Sequence, residues 1–290
     1  MSTPLHPPSF DLQAHSTHSD GALAPGEVVR QAAAAGVELV ALTDHDTVGG
    51  VPEAARAAQA AGIRLSPAVE LSCVHGEHED LHVLGYEIDA GDPALQDALE
   101  DFRADRGRRI GAMAGRLREL GFELDDVGLE GHESVGRPHL ADALLAHPAN
   151  AARLEEEGIA GKRELFPAYL VPGAPAYVAR SRPTVEDAIA TVHAAGGAAV
   201  WAHPFWNLED EAETLRAIEA FAAIGLDGVE VFYVTHTLEQ VQRLYDACEA
   251  QGLLSTGSAD FHGPDHELFH SFRAFDLHGL EPRLGPIGAR

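Results

Sequence analysis

A chain of 290 residues with 45% hydrophobic content can build one large α/β domain, or one domain carrying a smaller insertion. Its formal charge of −26 excludes a broad electrostatic grip on nucleic acid, though not a short nucleic-acid end held in a pocket. The sequence has no apolar stretch of membrane-spanning length and no secretory leader pattern, so a cytoplasmic location is expected; two isolated cysteines, Cys73 and Cys248, exclude a disulfide framework or a thiolate metal site.

The predicted elements alternate. Apolar runs at Phe10–His15, Val37–Thr43 and Ile63–Leu71 read as strands, separated by alanine-rich helices over Gly26–Ala35 and Pro52–Ala61. Pro25 near the first turn and Gly36 just past the last supply helix start and stop chemistry. A fourth strand, Leu81–Ile88, follows the polar loop Val74–Asp80; pairing as a hairpin with Ile63–Leu71 would make it run backwards. Beyond Asp92 the pattern turns helical, with one long helix from Pro93 and shorter ones over Pro138–Ala146, Ala151–Glu157 and Lys162–Leu170, and Val171–Pro175 as a return linker. Strands resume at Ala198–His203, Gly228–Phe232 and Leu253–Ser258, among helices over Val185–Ala195, Glu211–Ala223 and Leu238–Gln251. Thr184 and Asp187 have capping-box spacing. Such alternation predicts an α/β fold with a mostly parallel sheet. The expected division is residues 1–91 and 178–290 as a barrel, and residues 92–177 as an inserted helical subdomain capping its rim.

Metal-ligating residue types gather at the ends of these strands. The segments are "FDLQAHSTHSDG", "ALTDHD", "PAVELS", "DLHVLGYEID", "WAHP" and "GSADFHG". His15, Asp44, His45, Glu70, His203, Glu230 and Asp260 fall at or just after the carboxyl ends of different strands, the face where barrel active sites form. His82 opens its strand, and a backward run returns it to the rim of Glu70. Imidazole with carboxylate suits Zn²⁺, Mn²⁺ or Fe²⁺, and several converging groups hold more than one ion. The predicted class is a multinuclear metal hydrolase.

The motifs "HSTHSDG", "ALTDHDTVGG", "HVLGYEID", "AHP" and "GSADFHG", in that order, resemble the polymerase and histidinol phosphatase (PHP) superfamily of phosphoesterases. The similarity is greatest to the stand-alone branch with a helical insertion, which includes nucleoside 3′,5′-bisphosphate phosphatases and a 5′-to-3′ exoribonuclease. The resemblance implies a distorted seven-stranded barrel with a trinuclear centre. One metal would take His15, Glu70 and Asp260, a second Asp20, His45 and His262, and a third Glu70, His82 and His203. Glu70 would then bridge two ions. The family's first motif carries a histidine where this chain has Gln13. Gln13 either ligates through its amide oxygen, acts through a water or behind the ligands, or marks a lost site and a dinuclear centre. Two or three divalent ions are therefore expected.

For the substrate, Arg103, Arg106 and Arg109 recur on the long helix, and "GRPH" places Arg137 and His139 at the start of another. Guanidinium forks and helix starts both suit phosphate. Arg106, Arg109, Arg137 and His139 are the predicted phosphate contacts; the alternative for the arginines is a solvated face balancing nearby carboxylates. Asp44 would orient His45 or a water, or serve only as a turn residue. His18 is a possible substrate contact, His75 and His78 read as solvated, and His266, His270 and His278 as surface residues. The expected catalytic set is Asp20, His45, Glu70, His203, Asp260 and His262, acting by attack of a metal-bound hydroxide on phosphate esters of nucleotides. No serine or cysteine stands in a nucleophile motif. The alternatives are a small-metabolite phosphomonoesterase and a non-catalytic metal-binding domain.

Overall fold

Seven strands form one sheet in strict chain order: β1 Phe10–Asp11, β2 Leu39–Leu42, β3 Arg64–His75, β4 His78–Tyr86, β5 Ala198–Trp201, β6 Gly228–Tyr233 and β7 Leu254–Ser258. The computed structural model describes residues 8–125, 133–208 and 210–289. Neighbouring strands are parallel except around β4, which is antiparallel to both β3 and β5. The sheet curls until its edges meet. Leu12 N donates to Gly257 O at 3.2 Å, Ala14 bridges Phe261, and the Tyr86 hydroxyl donates across to Leu12 O at 2.9 Å. This is the distorted seven-stranded α/β barrel that the sequence predicted.

Helices α1 Pro25–Ala34, α2 Val51–Ala61, α7 Val185–Ala194, α9 Glu211–Ala223 and α10 Leu238–Gln251 are joined to these strands, with a short α8 at Pro204–Asn207. Between β4 and α7 come α3 Pro93–Glu119, α4 Arg137–Ala146, α5 Ala151–Glu156 and α6 Lys162–Leu165, the last running into a wide helical turn at Phe166–Leu170. Local chemistry accounts for several boundaries. Thr184 and Asp187 make both bonds of the capping box, at 3.0 and 3.1 Å. Asp92 caps α3 by accepting from Leu95 N at 2.8 Å.

Three apolar clusters hold the fold together. The largest lines the barrel and the helices against it, including Leu12, Val69, Val83, Val200, Val229 and Phe232. A second packs α1 and α2 on the sheet through Val28, Val29, Val40 and Ala54. The third lies among the helices after β4 and contains Ile110, Met113, Leu117, Phe122, Leu140 and Leu165. Helix α3 is common to two of them: Leu95 and Leu99 belong to the barrel core, Ile110 to Leu117 to the helical one.

Every strand shifts somewhat from its predicted bounds, β1 and the β3–β4 hairpin most of all. β1 stops at Asp11 because the next residues leave the ladder; Ala14 N donates to the Thr43 hydroxyl instead, at 3.2 Å. The β3–β4 hairpin extends through most of the polar segment Val74–Asp80. Its polar side chains find partners off the sheet: His78 meets Glu213 at 2.8 Å, and Glu79 accepts from Arg180 N at 2.6 Å.

Candidate metal centre

The loop after β1 delivers His15 and Asp20, and its shape depends on Asp44. One oxygen of Asp44 accepts from Ser16 N and the Ser19 hydroxyl, the other from the Ser16 hydroxyl, each at 2.7 Å. Of the roles open to Asp44, its bonds match that of a turn residue: the carboxylate is engaged by three donors of the neighbouring loop. At the far side of the rim, His203 and Asp260 both sit on left-handed backbone, with φ of 30° and 54°. Non-glycine residues hold such conformations only where surrounding bonds over-determine them. For His203 that bond is its N–H to Glu230 Oε2 at 2.9 Å; for Asp260 it is the Tyr233 hydroxyl on Oδ2 at 2.8 Å.

Glu70, fully buried on β3, is the hub. Its Oε1 lies 2.6 Å from His82 Nδ1 and 3.2 Å from His203 Nε2; its Oε2 lies 3.1 Å from His15 Nε2 and 3.4 Å from His45 Nδ1. Four imidazoles thus converge on one carboxylate. His82 arrives because β4 runs backwards, pairing Ser72 with His82 across the hairpin. His15 Nε2 also lies 3.1 Å from Asp260 Oδ1. On the near side, Asp20 stands 3.6 Å from each of His15, His45 and His262, and the His15 and His262 rings stack at 4.3 Å. Two sets of ligand atoms fall within 4.8 Å of one another: His15, Asp20, His45 and His262, and His45, Glu70 and His82.

These atoms are close without satisfying each other. His15 Nε2, Asp20 Oδ1, His45 Nδ1, Glu70 Oε2, His203 Nδ1 and Asp260 Oδ1 are buried, and none makes an aligned hydrogen bond among the described residues. Buried polar atoms without partners cost free energy, and cations shared between imidazole and carboxylate would satisfy them together. The electrostatics agree. Burial opposes charge on Asp20, yet His45, His262 and His15 hold it well below the usual carboxylate range. Burial likewise opposes charge on Glu70, and His45 and His82 hold it down. Burial also disfavours charge on His15, but Asp260 and Glu70 raise its pKa well above the ordinary value. Divalent ions held among these groups would offset the same buried negative charge.

A cationic cavity adjoins the cluster, sharing His45, His82 and Asp20 as walls. Arg106, Arg109, Arg137 and Arg180 line it, and all four are already engaged. Arg106 pairs with Asp46 at 3.0 Å and the Ser72 hydroxyl at 2.7 Å. Arg137 and Arg109 reach Asp80 at 3.0 and 3.5 Å, and Arg180 donates to Ser72 O at 2.9 Å. Burial would raise the Asp80 carboxyl, but Arg137, Arg109 and Arg180 pull it down to about 2. Asp80 stands at a bulge in the hairpin with φ of 62°, which turns its side chain out of the strand's alternation.

The structure does not bring every predicted residue to this place. His139 accepts from Gly136 N through Nδ1 at 3.0 Å and faces Ser19 O through Nε2 at 2.9 Å, so both ring nitrogens meet backbone rather than the cavity. The predicted phosphate contact is therefore a brace between the start of α4 and the His15–Asp20 loop. Gln13 is fully buried; its Oε1 accepts from the Ser258 hydroxyl at 3.4 Å, and its Nε2 has no partner among the described residues. The same Ser258 hydroxyl lies 2.6 Å from Glu230. His18 pairs with Glu133 at 2.8 Å. Arg180, Asp80 and Ser72 were absent from the predicted set. The segment "YVARSRP" carries no motif, and only closure of the fold across 108 residues brings Arg180 to Ser72.

Comparison with known proteins places this arrangement. The PHP domain matches residues 11–137. A 3′,5′-nucleoside bisphosphate phosphatase of Chromobacterium violaceum is 36% identical, over 88% of each chain. A 5′-3′ exoribonuclease of Haemophilus influenzae is 34% identical over 88% of this chain and 90% of its own. Among solved structures, an amidohydrolase from Chromobacterium violaceum, with bound sulfate and no metal, superposes with a TM-score of 0.80 at 35% identity, covering 91% and 90% of the two chains. With its closed seven-stranded barrel and its rim of histidines and carboxylates, the chain belongs to the PHP-domain family of metal-dependent phosphoesterases, which are hydrolases.

Proposed function

We propose that this chain hydrolyses phosphate esters of small nucleotides carrying two phosphates, or of short RNA at its 5′ end, with the cluster around Glu70 as the hydrolytic centre. The observation that carries the reading is adjacency: a cluster shaped for divalent cations shares walls with a cavity lined by four guanidinium groups. One phosphate group occupies the first and a second phosphate the other. The names of the relatives support this substrate class, and the sulfate in the solved relative shows that protein holding an anion of phosphate's shape.

Three ions are the proposed complement, drawn from Mn²⁺, Fe²⁺ and Zn²⁺: one with His15, Glu70 and Asp260, one with Asp20, His45 and His262, one with Glu70, His82 and His203. Divalent ions held there supply Lewis acidity, making water nucleophilic at neutral pH and neutralising phosphoryl oxygens. Protein groups do the rest. Glu70 offers an oxygen to either side, so it would lend its negative charge to cations held on both. The arginines orient the second phosphate, with Arg137 at the mouth and Arg106 and Arg180 behind it. Asp80 keeps the forks apart and aligned until an anion arrives. Gln13, tied to Ser258 and through it to Glu230, supports the His203 side from beneath.

Metal analysis of protein purified without chelator, joined to phosphate release from 3′,5′-bisphosphonucleotides, short 5′-phosphorylated oligoribonucleotides and small sugar phosphates, tests this reading. Turnover of the first or second class with two or more ions per chain supports it. Turnover of small metabolite phosphates alone would replace it with the phosphomonoesterase reading.

A further inference from the structure

Away from the arginines, the cleft over the histidine cluster changes character. Trp206, three residues beyond His203 on α8, is 50% exposed, whereas the other tryptophan, Trp201, is buried in the barrel. The Trp206 ring stands 5.7 Å from Phe269, inclined at 56°, and Tyr233 lies 6.2 Å from Phe269 on the cluster side. All three line the same cleft as Glu70, His203 and His262. Among the described residues Trp206 belongs to none of the buried apolar clusters. Trp206 thus presents an exposed flat ring, backed by Phe269, on the wall of the cleft that holds the histidine cluster.

We propose that Trp206, backed by Phe269, is the stacking platform for the heterocyclic base of the substrate and so a specificity-determining residue of the phosphoesterase reaction. The inference rests on the nucleotide reading above. It follows from the order of surfaces along the cleft: guanidinium groups at one end, the cation-shaped cluster in the middle, an aromatic plane at the other. A ligand matching that order is anionic at one end, carries a second phosphate at its centre and ends in a flat, polarisable ring. In one small molecule, that is a nucleoside carrying two phosphates. Stacking tolerates any base, because every base presents a π-face.

The test compares metal-loaded wild type, Trp206→Ala and Trp206→Phe on adenosine 3′,5′-bisphosphate and on a sugar bisphosphate lacking a base. For Trp206→Ala, kcat/KM on the nucleotide should fall roughly 5- to 150-fold, mostly through KM, as loss of one base–aromatic stack brings. Its kcat/KM on the base-free ester should stay unchanged, and Trp206→Phe should keep most of the nucleotide activity. Binding gives an independent readout. Adenosine 5′-monophosphate should quench tryptophan emission in the wild type and leave the emission of Trp206→Phe, which comes from buried Trp201, unaffected. Equal losses on both substrates, no loss on either, or the same quenching in Trp206→Phe would overturn the platform. A wild type that hydrolyses the sugar bisphosphate but no nucleotide overturns the nucleotide reading itself, and the platform with it. Nucleotide turnover that is indifferent to Trp206 removes the platform alone.

Discussion

The histidine cluster and the arginine cavity share walls but are opposite in kind. Around Glu70, six buried nitrogen and oxygen atoms, Glu70 Oε2 among them, lack an aligned hydrogen bond among the described residues, and added positive charge would satisfy them. In the cavity every guanidinium already has at least one protein partner, Asp46, Asp80 or a backbone carbonyl, although Arg109 Nη2 and Arg180 Nε make no hydrogen bond among the described residues. The first region must gain a ligand to be satisfied. The second is largely satisfied already, so an anion entering it competes with Asp80 for the same guanidinium groups. The cluster should therefore bind its ions tightly and affect stability, whereas the cavity should bind phosphate reversibly against internal competition, as a turnover enzyme requires.

The sharpest way to break this contrast is Glu70→Gln. Removing the shared charge should cost at least one metal equivalent per chain and at least ~10²-fold in phosphate release, because the attraction that tolerates adjacent cations is gone. Elemental analysis beside kinetics checks it; full metal content with wild-type turnover would refute the hub. Arg137→Ala probes the other region. Metal content should be unchanged, while kcat/KM on a bisphosphorylated substrate falls roughly 10- to 150-fold, the range for one charge-assisted contact. Unaltered kinetics would remove Arg137 from phosphate binding.

Asp80→Asn sharpens the idea of competition. A carboxyl whose pKa is lowered from 3.8 to about 2 in the fold contributes stability above the unfolded value, and that contribution is lost as pH falls from 3.8 toward 2. The variant should thus be less stable at pH 7 by about 2 kcal/mol, with the gap closing in acid. Inorganic phosphate should raise its melting temperature more than that of the wild type, since the guanidinium groups have lost their resident anion. Equal phosphate shifts in the two proteins would show that Asp80 does not compete. The smallest effect belongs to Gln13→His. Imidazole is the better donor for zinc or iron, so dialysed variant protein should retain more of either ion if position 13 reaches the centre. Identical metal content would fix Gln13 as a support for Ser258 alone.

Much of the cluster was legible in the sequence because its residues follow strand ends, where chain order and barrel geometry are locked together. His82 was legible too, once the hairpin with Ile63–Leu71 was inferred. The arginine wall was only half legible. Arg106, Arg109 and Arg137 announce themselves by helical spacing and by "GRPH", but Arg180, Asp80 and Ser72 are brought in by tertiary closure, which no local pattern records. The choice between the roles open to Asp44, and the bracing role of His139, were illegible for a related reason. A polar residue near a ligand can serve the ligand or the loop that carries it, and only the positions of Ser16 and Ser19 decide between the two.

The bulge at Asp80 has a consequence for how this protein tolerates insertions and deletions. Beyond it His75 pairs with His78 across a two-residue turn at Gly76 and Glu77; before it Ser72 pairs with His82. One extra residue thus lets Asp80 turn toward the arginines while His82 keeps its face toward Glu70. Deleting one residue of the bulge, Glu79 or Asp80, would restore a regular ladder that keeps Ser72 opposite His82 and removes the turn that carries Asp80 to the arginines. Most point substitutions at the exposed tip should be silent, yet a one-residue deletion at the bulge would disturb the arginine cavity while sparing His82 and the cluster. The tip holds no chemistry of its own, and the length of the bulge behind it is still constrained by the cavity.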